Sequence, residues 1–270
     1  MTRIAVLGAG KIGEALLTGL LAAGRSPADL AFTERHPERA RELADRLGVP
    51  ALDVPAAAER SDVLVVAVKP QDIDPLLNQL ADLVTAEHLV VSVAAGITTA
   101  RIERGLPAGP AVVRCMPNTP ALVDEAMTAI SAGSRATQTH LRRADELLSA
   151  VGRVVRVPES QLDAVTALSG SGPAYFFFLV EAMIDAGILL GLPRALAAEL
   201  IVQTLVGSAV MLRDSGEHPV QLREAVTSPA GTTISAIREL ENHGVRAAFL
   251  AAIEAARNRS AELGRTADAE

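Results

Sequence analysis

Along the first part of the chain, short runs of consecutive apolar residues alternate with longer stretches in which apolar residues recur every three or four positions. The runs at 3–7, 30–32, 62–68, 89–94 and 111–116 predict strands. The run at 62–68 is apolar at nearly every position, as expected for a parallel strand covered by helices on both faces. Between the strands the periodic stretches predict helices from Lys11 to about Ala23, at 37–47 ended by Gly48, at 73–84, and from a Thr98 or Thr99 cap to Leu106. Residues 127–132 and 154–157 read as edge strands around a helix at 141–151, which completes an α/β domain at about Pro158. Strands alternating with helices in this order build a doubly wound sheet.

From Glu159 onward no strand pattern remains. One helix is predicted to begin after Ser169-Gly170-Ser171-Gly172, with Pro173 at its first position where a missing N–H costs nothing, and to run to Leu190. Gly191-Leu192-Pro193 stops it, and residues 194–214 form the next. These helices are apolar on more than one face, as in Phe176-Phe177-Phe178-Leu179-Val180, and a helix apolar nearly all round is a buried one. About 110 residues cannot bury such helices against themselves, so they are expected to pack against a second copy of the chain. The residues from about Gly264 read as a disordered tail.

Length and composition refine this outline. The 270 residues suit two domains, placed at 1–158 and 159–270. A net charge of −7 with the two signs interspersed offers no footprint for nucleic acid and no polybasic segment for an anionic membrane. The longest apolar span, 164–180, is interrupted by S-G-S-G-P, so no membrane crossing is expected. The single cysteine, Cys115, excludes an internal disulfide framework, and with no leader pattern at the N-terminus it points to the cytoplasm. Cys115 lies within an apolar strand and reads as a packed thiol. No His, Cys, Asp or Glu cluster has metal-ligand spacing, and His36, His88, His140, His218 and His243 read as surface residues.

The candidate chemistry starts at R-I-A-V-L-G-A-G-K-I-G-E-A, residues 3–15. Gly8, Gly10 and Gly13 follow a strand and open an amphipathic helix, the setting in which G-x-G-x-x-G binds a dinucleotide. There the first glycine makes a tight turn, the second lets backbone approach a pyrophosphate, and the third lets helix and strand pack closely. Ala9, Lys11 and Ile12 complete the loop, whose helix offers unpaired N–H groups to phosphate. At the end of the second strand stand Glu34 and Arg35. A carboxylate there favours the ribose hydroxyls of NAD and an arginine the extra phosphate of NADP, so the residues point both ways. Lys69 falls at the carboxyl end of a strand, where it either touches cofactor or is a solvated loop lysine. The small residues at 95–98 let a nicotinamide lie against backbone. Pro117 and Pro120 fix a turn that presents Asn118 and Thr119, either as site residues or as parts of a merely rigid turn.

A second informative stretch is Val226-Thr227-Ser228-Pro229-Ala230-Gly231-Thr232-Thr233, which precedes a helix predicted at 234–241. The N–H groups of Gly231, Thr232 and Thr233, with the Ser228, Thr232 and Thr233 hydroxyls, make a compact anion nest at a helix N-terminus. It contains no Lys or Arg, which fits a carboxylate better than a phosphate.

The chain resembles the pyrroline-5-carboxylate reductase family over essentially its whole length. The resemblance rests on G-A-G-K-I-G-E-A at Gly8, A-V-K-P-Q at Ala67, S-V-A-A-G-I-T at Ser92, R-C-M-P-N-T-P at Arg114, L-S-G-S-G-P-A-Y at Leu168 and P-V-Q-L-R-E-A-V-T-S-P-A-G-T-T-I-S-A-I-R-E-L-E at Pro219. It implies an N-terminal Rossmann-type domain followed by an all-α dimerisation domain, and reduction of a cyclic imino acid to proline by NADPH or NADH. It further implies that Ala67, Lys69, Pro70, Val93, Ala94 and Ala95, with Asn118, serve the cofactor. Ser228, Gly231, Thr232 and Thr233 would hold the substrate carboxylate, with Thr233 reaching the ring nitrogen and Ser169 assisting. The assembly implied is a homodimer, often five of them in a decamer. Two residues depart from the family pattern: Ala230 stands where glycine is usual, and Thr33-Glu34-Arg35 is not the small polar strand end of NADPH-preferring members. A hydroxyacid dehydrogenase or a deazaflavin-dependent NADP reductase would share the glycines. The former should carry a catalytic Lys or His in its helical domain, which here has no Lys at all.

Overall fold

The computed structural model describes residues 2–269, with side chains through residue 265. The chain forms two compact units: one ends at Ser171 and takes the chain back from Ala256, and the other is Gly172–Ala255.

The first unit is a seven-stranded sheet in the order β2-β1-β3-β4-β5-β6-β7. Its strands are β1 (Ile4–Leu7), β2 (Leu30–Thr33), β3 (Val63–Val66), β4 (Leu89–Ser92), β5 (Ala111–Met116), β6 (Ala126–Ala132) and β7 (Gly152–Arg156). All pair in parallel except β5 with β6. The helices of the sheet are α1 (Lys11–Ala22), α2 (Pro37–Leu47), α3 (Val54–Arg60), α4 (Ile73–Leu80), α5 (Thr99–Gly105) and α6 (Gln138–Leu148).

Successive strand residues face opposite sides, and both sides are dry. Ile4, Val6, Val63, Val65, Leu89 and Val91 pack with Leu16, Leu17 and Leu20 of α1 and with Leu147 and Leu148 of α6. Ala5, Leu7, Leu64, Val66 and Val90 pack with Ala57, Ile73, Leu77, Leu80 and Ile102. This two-sided burial is why the strands read as unbroken apolar runs. The strand at 126–132 lies between β5 and β7, so it is an interior strand and not the edge strand expected. Helix α3 had no strong apolar period; its local signal is Asp53, whose carboxylate caps the Ala56 N–H, followed by Pro55 in the first turn.

At S-G-S-G-P the break is a single residue. Helix α7 (Leu162–Val165) runs through a π-helical turn, Thr166–Gly170, Ser171 forms a bend, and α8 (Gly172–Leu189) starts one residue before Pro173, close to the start expected. So short a break does not part the segment, and Glu159–Leu189 and Arg194–Ser215 both have the length and apolar composition to cross a membrane. This corrects the expectation that the glycines interrupt the apolar span: a π turn takes up all but one of these residues.

The second unit contains α8, α9 (Arg194–Ser215), α10 (Pro219–Ala225), α11 (Thr232–Asn242) and the first part of α12 (Val245–Ala269). Helices α8 and α9 approach closely at Gly187, where a β-carbon would fall 2.9 Å from the Ala197 β-carbon. Their other apolar faces are uncovered: Phe177 and Phe178 are 69% and 74% exposed. Helix α12 carries on to Ala269, so the tail expected from Gly264 is helical through 269, and Glu270 lies outside the described residues. Gly264 costs a helix about 1 kcal/mol relative to alanine, too little to end one flanked by good helix formers.

Candidate active site

Strand β1 has β2 on one side and β3 on the other, so the chain reverses its direction of winding at β1. In open α/β sheets this switch point, at the carboxyl ends of the strands, is where ligands bind. The glycine loop lies there, and its three glycines do three different things. Gly8 has φ +101°, and a β-carbon on it would stand 3.0 Å from the Val68 backbone nitrogen, against the loop that leaves β3. A β-carbon on Gly13 would stand 2.2 Å from the Gly8 carbonyl oxygen, so helix and strand meet only because that atom is missing. A β-carbon on Gly10 would meet nothing within 4 Å. Gly10 caps α1, and no side chain satisfies that end of the helix. The turn, the close packing and the open, N–H-lined space fit a pyrophosphate. Thr33 ties the loop down: its carbonyl accepts the Gly8 and Ala9 N–H groups at 3.2 and 3.0 Å, and its hydroxyl accepts Gly8 N–H at 3.1 Å.

Beyond β2, the two ribose candidates are differently placed. The Glu34 carboxylate is 9% exposed, accepts the His36 N–H at 2.9 Å and faces Arg39 Nε at 3.7 Å. Arg39 also donates to the Ala9 carbonyl at 3.2 Å and to Glu14 at 2.7 Å. Arg35 is 73% exposed and only loosely paired with Asp72, at 3.4 Å.

The remaining cofactor candidates line the same edge of the sheet. Ala67 follows β3 and donates its N–H to the Leu7 carbonyl at 2.9 Å; Lys69, exposed, and Pro70 follow it. Val93, Ala94 and Ala95 follow β4, and Gly96 turns the chain at φ +75°. Thr98 caps α5 as expected, its hydroxyl accepting the Arg101 N–H at 3.2 Å.

Asn118 follows β5 and binds Ser169, bringing two of the predicted residues together. Sequence reasoning missed a polar cluster beside them. Glu159 accepts Arg114 Nη1 at 3.1 Å, the Thr99 N–H at 2.8 Å and the Thr99 hydroxyl at 2.7 Å. The Arg114 side chain is only 8% exposed, and Glu159 thus fastens the start of the helical segment to β5 through Arg114 and to the first residue of α5 through Thr99.

In the second unit, helix α11 starts at Thr232 with Gly231 as its cap and no capping side chain. A β-carbon on Gly231 would stand 2.4 Å from the Ser228 hydroxyl, and the Gly231 N–H is held by the Ser228 carbonyl at 3.1 Å. The Gly231 N–H is therefore turned inward, which corrects the expectation that it joins the nest, and Thr232 and Thr233 form the first turn of the helix with no side chain capping it. Ala230, beside them, sits at φ +56°.

Cys115 is 1% exposed and burial pushes its thiol far above the usual range, which fits a packed residue. His36, His218 and His243 are exposed; His88 and His140 are half-buried, each capping a turn through Nδ1.

A Rossmann glycine turn at a switch point, followed in the chain by a helical unit, defines an NAD(P)-dependent oxidoreductase of two-domain design. Comparison with known proteins narrows the class. Residues 159–263 match the family model for pyrroline-5-carboxylate reductase dimerisation, and residues 3–96 that for NADP oxidoreductase, coenzyme F420-dependent. The second match covers the dinucleotide half alone. The chain is 48% identical to a pyrroline-5-carboxylate reductase of Corynebacterium melassecola, over 98% of this chain and 100% of that one. It superposes on a pyrroline-5-carboxylate reductase structure from Coxiella burnetii with TM-score 0.92 and 37% identity, covering 97% and 98% of the two chains. A Plasmodium falciparum pyrroline carboxylate reductase with NADP bound gives TM-score 0.88 at 27% identity, covering 97% and 98%. The chain belongs to the pyrroline-5-carboxylate reductase family.

Proposed function

We propose that this protein reduces 1-pyrroline-5-carboxylate to L-proline with NADPH or NADH, the final step of proline biosynthesis. The observation that supports the reading of a carboxylated substrate is the start of α11, a helix N-terminus with no capping side chain, in a stretch that holds Ser228, Thr232 and Thr233 and no Lys or Arg.

In this reading residues 1–158 bind the dinucleotide and residues 159–270 bind substrate and dimerise. Gly8, Ala9, Gly10, Lys11, Ile12 and Gly13 hold the pyrophosphate. Glu34 and Arg35 meet the adenosine ribose, and Ala67, Lys69, Pro70, Val93, Ala94, Ala95 and Asn118 serve the nicotinamide end. When bound, the reduced nicotinamide supplies the hydride. The chain's part is to orient the substrate and place a proton. Ser228, Thr232 and Thr233 anchor the carboxylate, with Gly231 shaping the turn beneath them, which fixes the ring in near-attack geometry. The Thr233 hydroxyl donates to the ring nitrogen, with Ser169 or a water assisting. A protonated imine accepts hydride readily, so a weak donor suffices there.

A second copy of the chain covers the apolar faces of α8 and α9, and a family model named for dimerisation supports a protein partner over lipid. A decamer of five dimers follows from the family resemblance, and a cytoplasmic address from the single, buried thiol.

The test compares 1-pyrroline-5-carboxylate with 1-pyrroline, which lacks the carboxylate, as acceptors for NADPH and NADH. The carboxylated imine should be reduced with a kcat/KM at least about a hundredfold higher, the worth of two charge-assisted hydrogen bonds. Equal rates would remove the nest from substrate binding. In Thr233→Ala, turnover should fall far more than dinucleotide affinity; equal loss of both would remove Thr233 from the chemistry.

A further inference from the structure

Ser169 lies in the π-helical turn Thr166–Gly170, four positions before Pro173. In a helix its carbonyl would accept the N–H of residue 173, and proline has none. Asn118, 51 residues away, supplies the missing donor: its Nδ2 lies 3.3 Å from the Ser169 carbonyl oxygen. The same nitrogen lies 3.3 Å from Ser169 Oγ. On the other side of the amide, Oδ1 accepts the Met127 N–H at 2.9 Å. A backbone donor thus fixes which way the amide faces, and Nδ2 donates to the carbonyl and the hydroxyl of Ser169 together. The turn is also seated by contact, since a β-carbon on Gly170 would meet Met116 Cε at 2.6 Å.

A serine hydroxyl that accepts from an amide keeps its own proton for another partner. We propose that Asn118 is a positioning residue that sets the Ser169 hydroxyl as a hydrogen-bond donor to the bound imino acid. This rests on the reading above, in which Ser169 assists at the ring nitrogen. It changes the part Asn118 plays: the amide acts on the reaction through Ser169.

Asn118→Asp separates this role from a structural one. A carboxylate of the same shape still accepts the Met127 N–H, but it only accepts, so the Ser169 proton turns toward residue 118 and away from the ligand. The hydroxyl stays; its direction reverses.

The experiment measures kcat and KM for 1-pyrroline-5-carboxylate, and KM for the dinucleotide, in wild type, Ser169→Ala, Asn118→Asp and the double variant. The expected result is a loss of kcat of about tenfold in each single variant, the worth of one hydrogen bond made in the transition state. The double variant should lose no more than the worse single one, and KM for the dinucleotide should stay within about twofold. Full turnover in Ser169→Ala overturns the proposal whatever the Asn118 variants do, including failing to fold. Multiplying losses in the double variant also overturn it, because they mean that Asn118 acts independently of Ser169. A wild-type protein inert toward the imino acid overturns the reading of function and this proposal together; an active wild type with either of the preceding results overturns this proposal alone.

Discussion

A β-carbon on Gly13 would stand 2.2 Å from the Gly8 carbonyl oxygen, while one on Gly10 would meet nothing within 4 Å. The two alanine variants should therefore fail in opposite ways. Gly13→Ala forces α1 away from β1 and should cost about 2 kcal/mol of stability, read by urea unfolding. Gly10→Ala, at φ −69°, should unfold like wild type yet bind dinucleotide at least about tenfold more weakly, because the methyl enters space left for the pyrophosphate. Equal stability loss in both would mean that the loop is only a packed turn.

Ala230 sits at φ +56°, where an L-residue with a side chain is strained. The left-handed region costs a non-glycine residue about 1–2 kcal/mol. Glycine would remove that cost but gain freedom in the unfolded chain worth about 0.4–1 kcal/mol. Ala230→Gly should thus stabilise the protein by up to about 1.6 kcal/mol in thermal or urea unfolding. A destabilised variant would show that the loop takes another conformation.

Arg114 and Glu159 are joined across 45 residues at 3.1 Å, with the arginine side chain 8% and the glutamate 30% exposed. Glu159→Ala strands a buried guanidinium and removes the cap on the Thr99 N–H. It should cost about 3 kcal/mol, at the lower end for a broken buried pair because Glu159 keeps some contact with water. Urea unfolding measures it, and a loss below about 0.5 kcal/mol, the range of an exposed pair, would contradict the burial.

The Cys115 thiol is buried and its pKa is raised in the folded protein. A raised folded pKa gives stability that is complete below the unfolded value of about 8.5 and is lost as pH rises above it, because only the unfolded chain then releases the proton. Between about pH 8.5 and 10 the wild type should lose stability more steeply than Cys115→Ala, by up to about 1.4 kcal/mol per pH unit. Parallel slopes would mean that the thiol ionises in the folded state. A thiol reagent should likewise find Cys115 only after unfolding.

What was legible in the sequence was what is local. The strands from Ile4 to Met116 read correctly because burial on both faces makes them apolar at nearly every position, Thr33, Ser92 and Arg114 excepted, and the glycines at 8, 10 and 13 because their spacing follows the turn they make. The start of α11 was legible for the same reason: Ser228, Gly231, Thr232 and Thr233 are neighbours in the chain. The bond from Asn118 to Ser169 and the pair Arg114 with Glu159 link residues 51 and 45 apart and leave no local mark. The first of these misled the reading of the helix itself. Pro173 and its glycines look like a long break, and the break shrinks to Ser171 because a π turn takes up the preceding residues and a distant amide satisfies the Ser169 carbonyl that the proline leaves. Gly264 misled in a similar way, as a likely-looking stop inside a stretch of helix formers.

The most direct measurement follows oxidation of NADPH and of NADH, in parallel, with 1-pyrroline-5-carboxylate as acceptor and L-proline assayed as product. The account predicts turnover on the order of 1–1000 per second, the ordinary enzymatic range, with one proline formed for each dinucleotide oxidised. The ratio of the two rates then reports whether Glu34 or Arg35 governs the ribose. If neither dinucleotide is consumed in the presence of this imine, the nest at Gly231 serves another ligand and the proposed function is wrong.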